Sequence, residues 1–331
     1  MFIKYNTKIN GTGRSLPKKV MNNYDLEKIV DTSDEWIRKR TGMFERRVAS
    51  EDEAASDFAY NAAKNAIEVS SISKKDIDMI IVATISGDYP FPATACILQK
   101  KLGLKDFPAF DISAGCSGWI YAADMAKQYV ENGIAKNVLV VGVEILTKIT
   151  NYEDRSTCVL FGDGAGATII SRAMDREIER FIDSYTSADG TYNDLLILPA
   201  GGSRMPASKE TVEKNLHTIE MEGNKIFKLA VNSMYKACNK LLKRNNLDIN
   251  SIDWLITHQA NLRIIKALGR KLKINKRKVV VNIEKYANTS AATIPIALDE
   301  AIRNKKIRHG ELVLMASFGA GLTSGSILVR V

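Results

Sequence analysis

Two stretches of the chain repeat one another. Ile252-Asp253-Trp254-Leu255-Ile256-Thr257 has the pattern of Ile77-Asp78-Met79-Ile80-Ile81-Val82, and Glu311-Leu312-Val313-Leu314-Met315 has that of Asn137-Val138-Leu139-Val140-Val141. Asp78 and Asn137 are 59 positions apart, and Asp253 and Glu311 are 58 apart. Continuous apolar runs of this kind suit parallel strands buried on both faces. Two copies at matched spacing predict a duplicated α/β unit. Its N-terminal half covers residues 1–175 and its C-terminal half 176–331, related by a pseudo-dyad. At 331 residues, 45% of them hydrophobic, the chain can bury the core that two such halves require.

The spacing also singles out two turns. Cys116 lies 38 positions after Asp78, and Asn288 lies 35 after Asp253. A pseudo-dyad brings these strand-to-helix turns together at the interface between halves, where ligand pockets form. In Phe110-Asp111-Ile112-Ser113-Ala114-Gly115-Cys116-Ser117-Gly118-Trp119, an apolar strand ends at Ile112 and a helix is expected from Trp119 to about Asn132. A thiol at a helix N-terminus meets unpaired N–H groups and the positive dipole end, which lower its pKa. Taken alone, Cys116 reads more readily as an inert buried cysteine at a tight turn, and only partners elsewhere in the chain reverse that.

Along the rest of the chain, Met1 to Asn10 alternates like a first strand rather than a targeting peptide, with a turn at Gly11-Thr12-Gly13. Short capped helices are expected at Asn23 to Ile29 and at Asp31 to Gly42, and a longer amphipathic one at Asp52 to Val69. A helix near Ala93 to Leu102 and a buried strand at Val138 to Val143 continue the β/α alternation. The Gly-rich run Leu160 to Ile170 lacks a P-loop Lys-Ser/Thr, and its glycines precede an apolar strand; it reads as a turn between strands. Ser184 to Lys209 reads as a long surface connection.

Composition excludes several classes. Four cysteines (Cys96, Cys116, Cys158, Cys238) without paired spacing argue against disulfides and for a cytosolic setting. Three histidines (His217, His258, His309) lack metal-ligand spacing, so no catalytic metal is expected. No apolar run reaches a membrane span of about 18 residues. The net charge of +9 calls for an acidic partner. Between Asn261 and Ile283 stand Arg263, Lys266, Arg270, Lys271, Lys273, Lys276, Arg277 and Lys278, with no acid among them. A helix at Leu262 to Leu272 puts Arg263, Lys266 and Arg270 on one face while Leu262, Ile265 and Leu272 turn inward.

Three segments carry the chemistry: Gly115-Cys116-Ser117, His258-Gln259-Ala260-Asn261 and Asn288-Thr289-Ser290-Ala291-Ala292. With them stand Asp34-Glu35-Trp36-Ile37, Arg40-Thr41-Gly42, Phe161 to Gly166, Met221 to Lys228 and Ser317-Phe318-Gly319-Ala320-Gly321. In this order and spacing, the chain resembles the β-ketoacyl-acyl carrier protein synthase III family of thiolase-like condensing enzymes, over essentially its whole length. The resemblance implies a five-layered α-β-α-β-α thiolase-like fold. It also implies decarboxylative Claisen condensation of a short acyl-CoA with malonyl-acyl carrier protein, the step that initiates fatty-acid synthesis. Cys116 would carry the acyl group, the backbone N–H groups of Cys116 and Ala320 would hold the oxyanion, and His258 and Asn288 would stabilise the enolate. No cofactor is implied, since acyl-CoA is a substrate. A plain thiolase needs a second cysteine in its C-terminal half, and none lies after Cys238.

By the same resemblance, Trp36 and Arg155 would sandwich the CoA adenine and Arg40 would face the nucleotide phosphates. Asn224, Ala260 and Asn261 would line the pantetheine tunnel. Phe91 would close the acyl pocket across a homodimer. Arg263, Lys266, Arg270 and Lys271 would dock the acidic carrier protein. Two positions depart from the family pattern: Ala287 stands where a Gly usually precedes the catalytic Asn, and Ser324 where many relatives have Trp. If residue 287 needs a positive φ, Ala costs ~1 kcal/mol. A condensing enzyme of secondary metabolism with another starter or acceptor shares all these residues. A non-catalytic acyl-CoA-binding regulator should lack Cys116, His258 or Asn288, and a nucleic-acid binder should show a recognition module, which this sequence lacks.

Overall fold

The computed structural model describes residues 4–331, so Met1 to Ile3 of the expected first strand lie outside the described residues. Two five-stranded sheets have the same topology. The first runs in the order Asn6–Ser15, Asp163–Ala173, Asn137–Ile145, Met79–Ala83, Ala109–Ile112. The second runs Arg180–Ala188, Thr323–Arg330, Leu312–Gly319, Trp254–Thr257, Val279–Val280. In each sheet the last three strands are parallel and the first two pair antiparallel, so the duplication in the sequence is a duplication of topology.

Strand alternation builds the layers. Met79, Ile81 and Ala83 face one way, into a core shared with Ile256, Val313, Met315 and Ile327 of the second sheet. Ile80 and Val82 face the other way, onto the helix Ala55–Val69 and the helix Thr94–Lys101. Leu255, Leu314 and Leu328 likewise face the helices Gly223–Arg244 and Leu262–Leu272. Between the sheets lie Gly118–Glu131 and Thr293–Arg303, the second buried without a break from Thr293 through Ala301. Its two buried acids are paired, Asp299 with Arg14 and Arg303 and Glu300 with Lys285, so this helix can lie inside the core. The order helix, sheet, helix, sheet, helix is the five-layered thiolase-like arrangement. No helix among the described residues is long and apolar enough to cross a membrane.

Three sequence expectations are corrected. Gly11-Thr12-Gly13 is not a turn but the middle of Asn6–Ser15. A Cβ at Gly11 would stand 2.4 Å from the Ala66 carbonyl oxygen, and one at Gly13 would stand 2.3 Å from that of Ala62, so these glycines let the helix Ala55–Val69 sit directly on the strand. Most of the Gly-rich run is likewise strand, Asp163–Ala173, and a Cβ at Gly166 would stand 2.7 Å from the Ile296 nitrogen of the central helix. Glycine signals close approach here as readily as it signals a turn. Finally, Ser184 to Ala188 completes the outer strand of the second sheet, and the surface connection begins only after it.

Candidate active site

The strand Ala109–Ile112 delivers the chain to a single 3-10 turn, Gly115–Ser117, from which Gly118–Glu131 starts. Gly115 has φ +51°, and a Cβ there would stand 2.8 Å from the Ala320 nitrogen. A Cβ at Gly319 would stand 2.5 Å from the Cys116 nitrogen. The turn that carries Cys116 therefore lies backbone-to-backbone against the turn that carries Ala320. The second half also holds the backbone around Cys116 in place: Ser317 donates to the Cys116 carbonyl at 2.8 Å, and Thr323 donates to that of Ala114 at 2.8 Å.

His258 follows the strand Trp254–Thr257 and is tied to the neighbouring strand Leu312–Gly319 by its N–H, which donates to the Ala316 carbonyl at 2.8 Å. Gln259 locks the same corner, donating to the Thr257 carbonyl at 2.8 Å and accepting from the Asn282 N–H at 3.1 Å. The imidazole is buried at 1% exposure, packs edge-on to Phe318 with centroids 6.0 Å apart, and has no hydrogen-bond partner on either nitrogen among the described residues. Burial drives its pKa down to about 3. It is a neutral ring with an N–H free to donate.

Asn288 is held by its backbone: its N–H donates to the Leu160 carbonyl at 2.9 Å, and its carbonyl accepts from the Gly162 N–H at 3.1 Å. Its side-chain Oδ1 accepts from the Ser290 N–H at 2.9 Å, so the Nδ2 donor remains for the cleft. Ala287, just before it, has φ +54° and ψ −150°, the left-handed conformation in which glycine costs least.

These three side chains line one cavity of about 840 Å³. Its buried end holds Cys116, His258, Asn288, Phe318 and Gly319; its open end holds Trp36, Arg40, Arg155, Asn224 and Arg263, with Ala260 and Asn261 along the wall. The Arg40 guanidinium stands 4.8 Å from the Trp36 ring centroid and that of Arg155 stands 5.1 Å from it. No planar base fits between Trp36 and Arg155 at that separation, so Arg155 must swing out before a nucleotide can enter as expected. Asn261 also caps Leu262–Leu272 and donates to the Arg40 carbonyl at 3.1 Å, which joins the wall to the mouth. Lys266, Arg270 and Lys271 lie outside the cavity on the exposed face of that helix. Phe91 also lies outside it, 85% exposed beside exposed Tyr89 and Ile85.

One expectation is reversed. The helix end was expected to lower the thiol pKa, whereas burial pushes Cys116 up to about 12, with the Glu144 carboxylate adding to the rise and the Ser290 hydroxyl opposing it. With no substrate bound, burial favours the thiol form of Cys116. Sequence reasoning also missed Glu144. It is fully buried, and burial raises its pKa to about 7. A lone acid immediately after the apolar run Val138 to Val143 was the available signal.

Residues 110–190 match the family described as 3-oxoacyl-[acyl-carrier-protein (ACP)] synthase III, and residues 242–331 match its C-terminal domain. The chain is 54% identical to the β-ketoacyl-[acyl-carrier-protein] synthase III of Caldanaerobacter subterraneus subsp. tengcongensis, over 97% of each chain. It is 51% identical to that of Clostridioides difficile, over 98% of this chain and 99% of the relative. It superposes on the crystal structure of 3-oxoacyl-[acyl-carrier-protein] synthase III from Aquifex aeolicus VF5 with a TM-score of 0.90 and 48% identity, covering 98% of this chain and all of that one. With identity of this order along almost its entire length, the chain belongs to the 3-oxoacyl-[acyl-carrier-protein] synthase III family of condensing enzymes.

Proposed function

We propose that this protein joins a short acyl-CoA to malonyl-acyl carrier protein with loss of CO2, through an acyl group held on Cys116. The observation that carries this reading is the pairing, in one cavity with Cys116, of a neutral imidazole and an amide whose Nδ2 is left to donate. Two neutral donors beside a thiol suit an enolate, which needs its oxygen stabilised without being protonated outright.

In the first half-reaction the Cys116 sulfur attacks the acyl-CoA carbonyl. The Cys116 and Ala320 N–H groups hold the oxygen as it becomes an anion. CoA then leaves as a thiol, carrying the proton that Cys116 gives up. The cationic mouth, Arg40, Arg155 and Arg263, suits the phosphates of CoA. In the second half-reaction the malonyl thioester loses CO2, and the enolate oxygen accepts from His258 and Asn288. Its carbon attacks the acyl carbonyl, the acyl C–S bond breaks, and Cys116 leaves as a thiolate that takes a proton from water to restore the thiol. Every group in this scheme is a side chain or backbone N–H of the chain, so the reading includes no cofactor and no metal.

Phe91 belongs to this reading as the contact with a second copy. A phenylalanine 85% exposed beside exposed Tyr89 and Ile85 is an apolar projection that an isolated chain leaves in water. We take the working enzyme to be a cytosolic homodimer in which Phe91 closes the partner's acyl pocket. Docking of the acidic carrier protein falls to Arg263, Lys266, Arg270 and Lys271.

The experiment is to supply acyl-CoA and malonyl-acyl carrier protein together and weigh the carrier-protein product. A 3-oxoacyl carrier protein that disappears with His258→Ala, while Cys116 still takes up the acyl group, supports the reading. Condensation that survives His258→Ala contradicts it.

A further inference from the structure

Glu144 is used by no step of the reaction just described, yet it sits directly behind the site. It is the penultimate residue of the strand Asn137–Ile145 and is fully buried. Its Oε2 accepts from the Ser86 hydroxyl at 2.5 Å, the Ile85 N–H at 3.1 Å and the Thr84 hydroxyl at 3.4 Å. Its Oε1 accepts from the Ser290 hydroxyl at 3.0 Å. One carboxylate thus grips two separate segments. The first continues from Ser86 toward Phe91; the second is the turn that carries Asn288.

The links from Glu144 to the reacting groups are continuous. Ser290 gives its hydroxyl to Glu144 and its backbone N–H to Asn288 Oδ1, at 3.0 and 2.9 Å. Ser290 adopts φ +46°, a conformation a serine leaves readily unless something holds it. Without the Ser290 N–H, the Asn288 amide is free to rotate and to present oxygen where it now presents Nδ2. An apolar residue at position 144 avoids the cost of burying a carboxylate. Four donors from two segments are what the carboxylate gains in exchange.

Resting on the assignment of Asn288 as an enolate donor, we propose that Glu144 is a positioning residue that fixes the Asn288 amide through Ser290 and joins it to the segment leading to Phe91. Burial favours its protonated form, and the hydrogen bonds from Ser86, Ile85 and Ser290 oppose that rise, so these donors are what hold the group as an acceptor. The hydroxyls and N–H groups bonded to it carry no charge, and the titratable group it acts upon is Cys116.

The test separates the two half-reactions, with Asn288→Ala as the reference. Acylation is followed by intact mass after an acyl-CoA pulse, and condensation by adding malonyl-acyl carrier protein to the pre-acylated enzyme. Glu144→Gln and Ser290→Ala are each expected to slow condensation about ten- to hundredfold while changing acylation by less than about threefold. The double variant should be no slower than the worse single one, because both cut the same chain of contacts. Ser86→Ala, which cuts only the other side, should keep condensation near the parent rate and raise the acyl-CoA KM. Equal slowing of both half-reactions in Glu144→Gln and Ser290→Ala, or losses that multiply in the double variant, overturns the proposal. If Asn288→Ala itself leaves condensation intact, the assignment of Asn288 fails instead, and the positioning role falls with it. Should Glu144→Gln not fold, Ser290→Ala alone decides.

Discussion

Ser290 donates its backbone N–H to Oδ1 of Asn288 at 2.9 Å, and this bond decides what the Asn288 side chain can do. With its oxygen engaged, the amide meets the cleft as a donor. Asn288→Asp replaces that donor with an acceptor. Condensation should fall about 10²-fold or more, the usual cost of losing one donor to a developing oxyanion, while acylation at Cys116 continues. Single-turnover rates for each half-reaction check this, and parallel loss of both contradicts it.

Ala287 occupies φ +54° and ψ −150°, where a Cβ is strained by roughly 1–3 kcal/mol. Ala287→Gly should relieve this and stabilise the fold by about 1 kcal/mol net of the extra freedom glycine has when unfolded. Ala287→Val should destabilise it. Urea midpoints of the two variants give the signs directly, and a destabilised glycine variant rules out strain at this position.

His258 and Glu144 give opposite pH dependences. The imidazole pKa is lowered to about 3 in the fold from 6.5, so the unfolded chain binds the extra proton between those values. Its contribution to stability is complete above pH 6.5 and is lost as the pH falls toward 3. Glu144 is raised from 4.5 to about 7, so its contribution is complete below pH 4.5 and is lost as the pH rises through 7. Between pH 6.5 and 4.5, His258→Ala should lose less stability than the parent and Glu144→Gln should lose more. Unfolding midpoints across that window test both signs.

Lys266 and Arg270 are exposed on one helix and lie outside the cavity. Reversing both charges, Lys266→Glu with Arg270→Glu, should weaken use of malonyl-acyl carrier protein at least about tenfold at low salt and leave acylation by acyl-CoA unchanged. Equal loss in both half-reactions removes the carrier-protein assignment from this face.

Much of the molecule was legible in the sequence because its strands are buried on both faces and its halves are copies. Ile80, Leu139, Leu255 and Leu314 belong to apolar runs long enough to stand out, and their repetition predicted the two sheets. The Cys116 and Asn288 turns were found by spacing, and the absent glycine at 287 pointed to the strained backbone now seen there. Other features depend on distance in space. Gly11, Gly13 and Gly166 read locally as turns, and only the helices packed on them show that they are contacts within strands. The rise of the Cys116 pKa is set by burial under the second half of the chain, which no local motif encodes. Glu144 and Ser290 are 146 positions apart and meet only because the two halves close on each other.

The central claim, an acyl group carried on Cys116, is tested most directly by peptide mass spectrometry after incubation with acetyl-, isobutyryl-, hexanoyl- or octanoyl-CoA and no malonyl donor. The account predicts one acyl mass on the Cys116 peptide with the short donors, absent in Cys116→Ala. No label from any donor, or a label on the exposed Cys96 that persists in Cys116→Ala, would contradict it.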